Sequence, residues 1–165
     1  MFLLNSILIG TYLEEDNGVL KITDFAPENL EHTFYYFRLG ANASLNGKPM
    51  VLSNKIGHKF LTLEPNDFAL ITTLESFTLS AKILGILGQC SEITNQGLLL
   101  IHSPFIDPRY SNTLGFGIKN VSNETTTLEY GVDKIGKVSF FDISDTYPIK
   151  IDPYSSFAKR FLANK

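Results

Sequence analysis

Short apolar runs separated by small polar clusters recur along most of this chain. Between Leu63 and Asn120 they read FALITTL, FTLSAKILGIL, GLLLIHSPFI and TLGFGI. Runs of this kind, bounded by Gly, Asn, Asp and Ser, predict consecutive β-strands, with an exposed loop after Gly88. Upstream, Asn5 and Ser6 predict the cap of a short helix through about Glu15, with Ile7, Leu8, Thr11 and Tyr12 on its apolar side. Asn17-Gly18 ends that helix, and Val19–Ile22 starts a strand. Phe25–Leu30 reads as a turn, followed by an aromatic strand from His32 to Gly40. Residues 41–62 are rich in turn formers, with Val51-Leu52 and Phe60–Leu63 expected as a short pair of strands. Asn123-Glu124 predicts a hairpin turn between Ile118–Ser122 and Thr125–Val132. A last strand is expected over Lys137–Ile143. Beyond Asp145 the chain turns polar and irregular, with Pro148 and Pro153, and SSFAKRFLANK reads as a short terminal helix. The pattern predicts one domain over residues 1–145 and a tail over 146–165. Many short strands and few helices predict an all-β barrel or jelly roll with a short N-terminal helix.

Composition narrows the function classes. The chain has 165 residues, a length that suits one domain and lets it bury roughly 70% of its unfolded surface. It is 44% apolar and 19% charged, the balance of a globular chain. The net charge of −3 offers no basic surplus for a nucleic-acid backbone, so no nucleic-acid partner is expected. The apolar start MFLLNSILIGTYL is too short to span a bilayer. No Lys or Arg precedes Lys21, so it does not read as a signal peptide. It is read as part of the fold, with no membrane partner. One cysteine, Cys90, excludes an intrachain disulfide framework and points to a cytoplasmic location. The N-x-S/T matches at Asn42, Asn120 and Asn123 are then chance occurrences.

The order of motifs is more specific than any one of them. Pro65-Asn66-Asp67-Phe68, Thr72-Thr73-Leu74-Glu75, Gly88-Gln89-Cys90-Ser91, Ile106-Asp107-Pro108-Arg109-Tyr110 and Gly117-Ile118-Lys119-Asn120 follow one another along the chain. This series resembles the dCTP deaminase family, the deaminase branch of the trimeric dUTPase superfamily, which reads PGEF, STLE, GRSS, IDPGF and LEL-N. Earlier, Tyr35, Arg38, Leu39 and Gly40 match the family's S-Y-D-x-R-L-G. The family's Ser and Asp are here Phe34 and Tyr36, aromatics expected to fill a core or a subunit contact. The resemblance covers roughly residues 1–40 and 63–143. It implies a dUTPase-like distorted β-barrel, a homotrimer with sites between subunits, and a deoxypyrimidine triphosphate ligand.

The resemblance also implies a chemistry, and here the residues diverge. Zinc deaminases require several metal-binding cysteines, and one Cys excludes that route, so no zinc is expected. The dCTP deaminase family instead uses a Glu on the strand after IDPGF as general acid and base. Counting back from Asn120 places Gly117 there. In the substrate loop, Gln89 stands for the first Arg and Cys90 for the first Ser, Ser91 is retained, and the second Arg falls near Thr94. Glu92 reads as an exposed loop acid, and Cys90 as a small loop or core residue rather than a nucleophile. A dUTPase needs less: an aspartate that helps water attack the α-phosphorus, with Mg²⁺ gathering the triphosphate. Asp107 matches that aspartate, and its alternative role is to cap backbone amides. Arg109 is a possible substitute cation. His102 and Ser103 border the base pocket by resemblance, or pack along a strand. In the tail, Tyr154, Ser155, Ser156, Lys159 and Arg160 suit either a lid over phosphates or a free end. Two functions stay open. One is an enzyme acting on dCTP or dUTP. The other is a non-catalytic homologue that serves as a nucleotide-binding, regulatory or structural trimer.

Overall fold

A computed structural model describes residues 1–15 and 18–146. In chain order the elements are β1 (Phe2–Leu3), α1 (Ser6–Glu14), β2 (Leu20–Ile22), β3 (Leu30–Glu31), β4 (Phe34–Leu45), β5 (Lys48–Val51), β6 (Phe60–Leu63), β7 (Phe68–Leu79), β8 (Ile83–Gly88), α2 (Ser91–Asn95), β9 (Leu98–Ile101), β10 (Phe105–Ile106), β11 (Ser111–Asn120), β12 (Thr126–Glu129) and β13 (Lys134–Asp142). The protein is mostly β, with a short N-terminal helix, as the pattern predicts. The spine of the main sheet runs β10-β8-β13-β4-β7-β11-β9, while β6 and β12 form a separate pair. Every strand pairing is antiparallel. The main sheet curls around one core. Phe37 stacks on Phe116 at 5.1 Å and meets Phe77 edge-on at 6.3 Å. Asn5 caps α1, its side chain accepting from the Leu8 amide. No helix among the described residues is long and apolar enough to cross a membrane.

Five local expectations are corrected. First, FALITTL and FTL form one strand of 12 residues, β7, not two. The polar residues at its middle do not turn, because Glu75 finds buried partners on β4. Second, the aromatic strand runs on past Gly40 to Leu45 and returns as β5. Asn46 and Gly47 make that reversal, both at positive φ, as a two-residue hairpin of matching twist requires. Third, Val51 therefore pairs with Asn42, not with the 60–63 strand. Fourth, β12 does not fold back on β11 at Asn123-Glu124. It pairs with β6, Leu128 opposite Leu61, so both leucines are buried. Fifth, the loop after Gly88 contains the short helix α2. Phe34 and Tyr36 are half-buried on the outer side of β4, with Tyr36 packed against the edge of the core, while Tyr35 and Phe37 fill the interior. That division follows from the alternation of side chains along a strand.

Candidate functional site

Three features surround the positions that the motifs single out. The first is the segment after β8. Gln89 is a staple: its Nε2 donates to Thr94 Oγ1 at 2.7 Å and to the Leu98 carbonyl at 3.0 Å, and its Oε1 accepts from the Leu100 amide at 2.8 Å. These bonds fix α2 against β9 and occupy the amide within the chain. Cys90 is 1% exposed, its Sγ 3.3 Å from the Lys134 carbonyl, and burial pushes its thiol up. A buried, protonated thiol is a poor nucleophile. Ser91 is exposed and donates to Glu92 at 3.2 Å. Hydrogen bonding from its own backbone amide holds the Glu92 carboxyl below its ordinary range, against partial burial, with Ser91 contributing in the same direction.

The second feature is the segment from His102 to Tyr110, which runs from the end of β9 through β10 to the start of β11. His102 Nδ1 lies 2.6 Å from the Ser103 carbonyl. A carbonyl only accepts, so Nδ1 carries the proton and, in the neutral ring, Nε2 is left as an acceptor. The ring meets Phe116 edge-on at 5.8 Å. Ser103 Oγ accepts from the Phe105 amide at 3.4 Å, and the Pro104 carbonyl from the Leu87 amide at 2.8 Å. Further on, Asp107-Pro108-Arg109-Tyr110 is closed by the Tyr110 amide donating to the Asp107 carbonyl at 3.1 Å. Pro108 stands second, and Arg109 third with φ +69. A type II turn has this form and favours Gly at the third place. The Gly of the family's IDPGF therefore answers a backbone need that Arg109 meets under strain. Arg109→Gly is expected to raise unfolding free energy by about 1 kcal/mol, read as a higher urea midpoint. The Asp107 carboxylate is exposed and has no partner among the described residues.

The structure thus joins Gln89 to Leu98 and Leu100 on β9, while Cys90 turns to Lys134 and Ser91 to Glu92. It sets the Asp107–Arg109 turn apart: Pro104 lies against Leu87, near the end of β8, whereas the Arg109 amide bonds to Ser80, before its start. Tyr154, Ser155, Ser156, Lys159 and Arg160 lie outside the described residues. Among the described residues, no group of three or more His, Cys, Asp or Glu could hold a metal ion.

The third feature is a groove of about 420 Å³ on the outer face of β4, β7 and β11. Gly117 lies opposite Leu70, and Gly115 opposite Thr72. Asn42, Ser44 and Thr72 supply the polar groups of the lining, and none of the lining residues titrates. A Cβ built on Gly117 would come 2.8 Å from Phe68 Cε2 and 3.3 Å from Ile101 Cβ. The Phe68 ring therefore occupies the space through which a longer side chain at 117 would leave the strand. Around the groove, Phe68, Leu70, Leu99 and Ile101 are exposed.

Sequence reasoning missed what the matched polar residues do. Glu75 is fully buried and accepts from the Arg38 Nε at 2.8 Å, the Arg38 amide at 2.9 Å and the Tyr35 hydroxyl at 3.1 Å. Arg38 also donates to the Asp24 carbonyl. Burial and the Glu75 charge push the Tyr35 phenol far up, so it stays a donor. Asn120, also fully buried, donates to the Leu63 and Glu124 carbonyls and accepts from Ser122. A charged residue in the buried row of an alternating strand was the available signal for Glu75.

Comparison with known proteins bears on the same positions. The family model for dCTP deaminase-like proteins matches residues 9–143. The dCTP deaminase of Thermococcus kodakarensis is 31% identical over 112 residues, covering 68% of this chain and 70% of that protein. Among solved structures, the dCTP deaminase of Agrobacterium tumefaciens superposes with a TM-score of 0.68 at 16% identity, over 84% of this chain and 48% of that one. This chain thus spans about half the length of the Agrobacterium protein. A variant of the Staphylococcus bacteriophage 80alpha dUTPase with dUpNHpp superposes with a TM-score of 0.51 at 15% identity, over 77% of this chain and 92% of that one. The curled sheet is therefore the dUTPase-like fold. The match runs through the Arg38–Glu75 pair, the Asp107 turn and Asn120, and on this evidence the chain belongs to the dCTP deaminase-like family.

Proposed function

We propose that this protein binds deoxypyrimidine triphosphates between the subunits of a homotrimer and does not deaminate dCTP. One observation carries the reading: the strand position of the expected general acid and base is Gly117, in a groove without a titratable side chain. Attack of water on C4 of cytosine requires a group to take and return protons, and such groups contribute about 10²–10⁴ in rate. The exposed Phe68, Leu70, Leu99 and Ile101 on the same face support burial against a second copy. Cytoplasmic nucleotide pools would supply the ligand, with Mg²⁺ bound to its phosphates. Mg²⁺ retains waters and takes one or two carboxylates beside phosphate oxygens. The exposed Asp107 carboxylate fits that modest demand.

The same carboxylate favours a second reading, hydrolysis of dUTP to dUMP and diphosphate. Asp107 would orient water toward the α-phosphorus, and the metal would spread the phosphate charge. A product assay separates the readings. Pure protein, shown by light scattering to be trimeric, is incubated with dCTP and with dUTP, with and without Mg²⁺. No dUTP or dUMP is expected from dCTP, and either product would overturn the proposal. dUMP from dUTP, lost in Asp107→Asn, would establish the second reading. A clean monomer at micromolar concentration would remove the shared site.

A further inference from the structure

Two lysines stand on the outer face of the sheet beside the segment after β8. Lys134 Nζ lies 4.5 Å from the centre of the Tyr36 ring, and Lys137 Nζ 4.7 Å from that of Phe34. The two rings touch edge-on, 5.2 Å between centres. Residues three apart on a regular strand point to opposite faces. Here the pairing of β13 with β4 slips between Lys134 and Gly136, and the bulge turns both lysines to one side. Gly136 is required at that bulge, because a Cβ there would meet Phe37 Cζ at 2.5 Å. The stem of Lys137 passes beside Gly88, at the ordinary contact distance of 3.7 Å from where a Cβ on that glycine would stand. Lys134 offers its carbonyl to Cys90. The pair is thus anchored to the start of the 88–92 segment by backbone and by packing.

Neither ammonium forms an ion pair among the described residues. Glu31 and Glu92 border the patch, close enough to act on Tyr36 electrostatically. Seating on aromatic rings restrains each lysine stem while its N–H donors stay available. Such an arrangement suits an anion with several separated charges, since two ammoniums on adjoining rings can contact successive phosphates. Lysine serves phosphate as a point charge without strict geometry.

We propose that Lys134 and Lys137, held on Phe34 and Tyr36 beside residues 88–92, form a polyphosphate-binding pair that grips the triphosphate of the nucleotide. The inference rests on the nucleotide-binding reading and adds the cations it needs, because the Gln89 amide is already bonded within the chain. Calorimetric titration with inorganic tripolyphosphate and with dCTP at low salt tests it. Three proteins are compared: wild type, Lys134→Gln/Lys137→Gln, and Lys134→Arg/Lys137→Arg. The glutamine pair is expected to weaken both ligands about tenfold, as loss of charge-assisted bonds implies, and the arginine pair to retain them. Urea midpoints should barely move, which separates binding from folding. Tighter dCTP than tripolyphosphate assigns the pair to a nucleotide, and equal affinity to a bare polyphosphate chain. Wild-type dCTP affinity in the glutamine pair would overturn this inference and leave the nucleotide-binding reading intact. A wild-type protein that binds neither ligand would overturn both.

Discussion

Glu75→Ala is expected to lower the unfolding free energy by about 3–5 kcal/mol, the range for removing one partner of a buried charge pair. The side chain is fully buried, and the Arg38 side chain is 18% exposed, so solvent screens the pair little. Removal leaves three donors short of an acceptor at once: the Arg38 guanidinium, the Arg38 amide and the Tyr35 hydroxyl. Each unpaired buried donor adds about 1–3 kcal/mol of desolvation, more if charged. The amide is backbone, so substituting Arg38 as well does not cure the loss. The double variant Arg38→Met/Glu75→Leu should recover part of the stability, unlike isolated pairs for which apolar replacement is neutral. Urea denaturation with an unchanged m-value measures both. Full recovery in the double variant would mean that the amide finds another acceptor.

Gly40→Ala is the second large effect. Gly40 sits where β4 crosses β7, and a Cβ there would lie 2.3 Å from the Thr73 carbonyl oxygen and 2.5 Å from its carbon. Both obstacles are backbone, so no rotamer change relieves them. The strands must part by more than an ångström, next to the Glu75 network. The pairing of β4 and β7 already jumps between Leu39 and Ala43, which places this close approach at an irregular step in the ladder. Inserting one methyl into a tight core costs about 1–3 kcal/mol, and a rigid backbone obstacle puts this site at or above the top of that range. A thermal midpoint lower by several degrees is expected. Within 2 °C of wild type, the close approach of the two strands would be refuted.

Both predictions fall on residues that match the family motif, and this shows how the resemblance is built. In this chain Arg38, Gly40, Glu75, the Asp107–Tyr110 turn and Asn120 hold strands and turns together. Their order along the chain was enough to name the architecture. Their roles were not legible, because Glu75 and Arg38 are 37 residues apart and meet only when β4 lies beside β7. A longer separation along the chain hid the pairing of β6 with β12. A local pattern reports that a strand is half-buried, but not which strand covers it.

The positions assigned to ligand divide differently. Counting from Asn120 places Gly117, a residue without a carboxyl, where the resemblance expects one. The sequence did not disclose the Phe68 ring above it. Gln89 stood at the first Arg of the substrate loop, and its amide is bonded to Thr94, Leu98 and Leu100. Cys90 read as a loop or core residue, and it is buried. Lys134 and Lys137 drew no notice, since a three-residue spacing on a strand gives no hint of a shared face.

By itself the sequence determined the all-β class, the capped N-terminal helix and the family, and it put Gly117 where the resemblance expects a carboxyl. Each depends on side-chain periodicity, local turn chemistry or motif order, which are properties of neighbours along the chain. Tertiary structure alone decided the strand partners, the buried Arg38–Glu75 pair, the groove over Gly117 and the lysines gathered beside the 88–92 segment. These depend on which distant backbones hydrogen-bond, and on a single bulge that reverses the facing of one side chain.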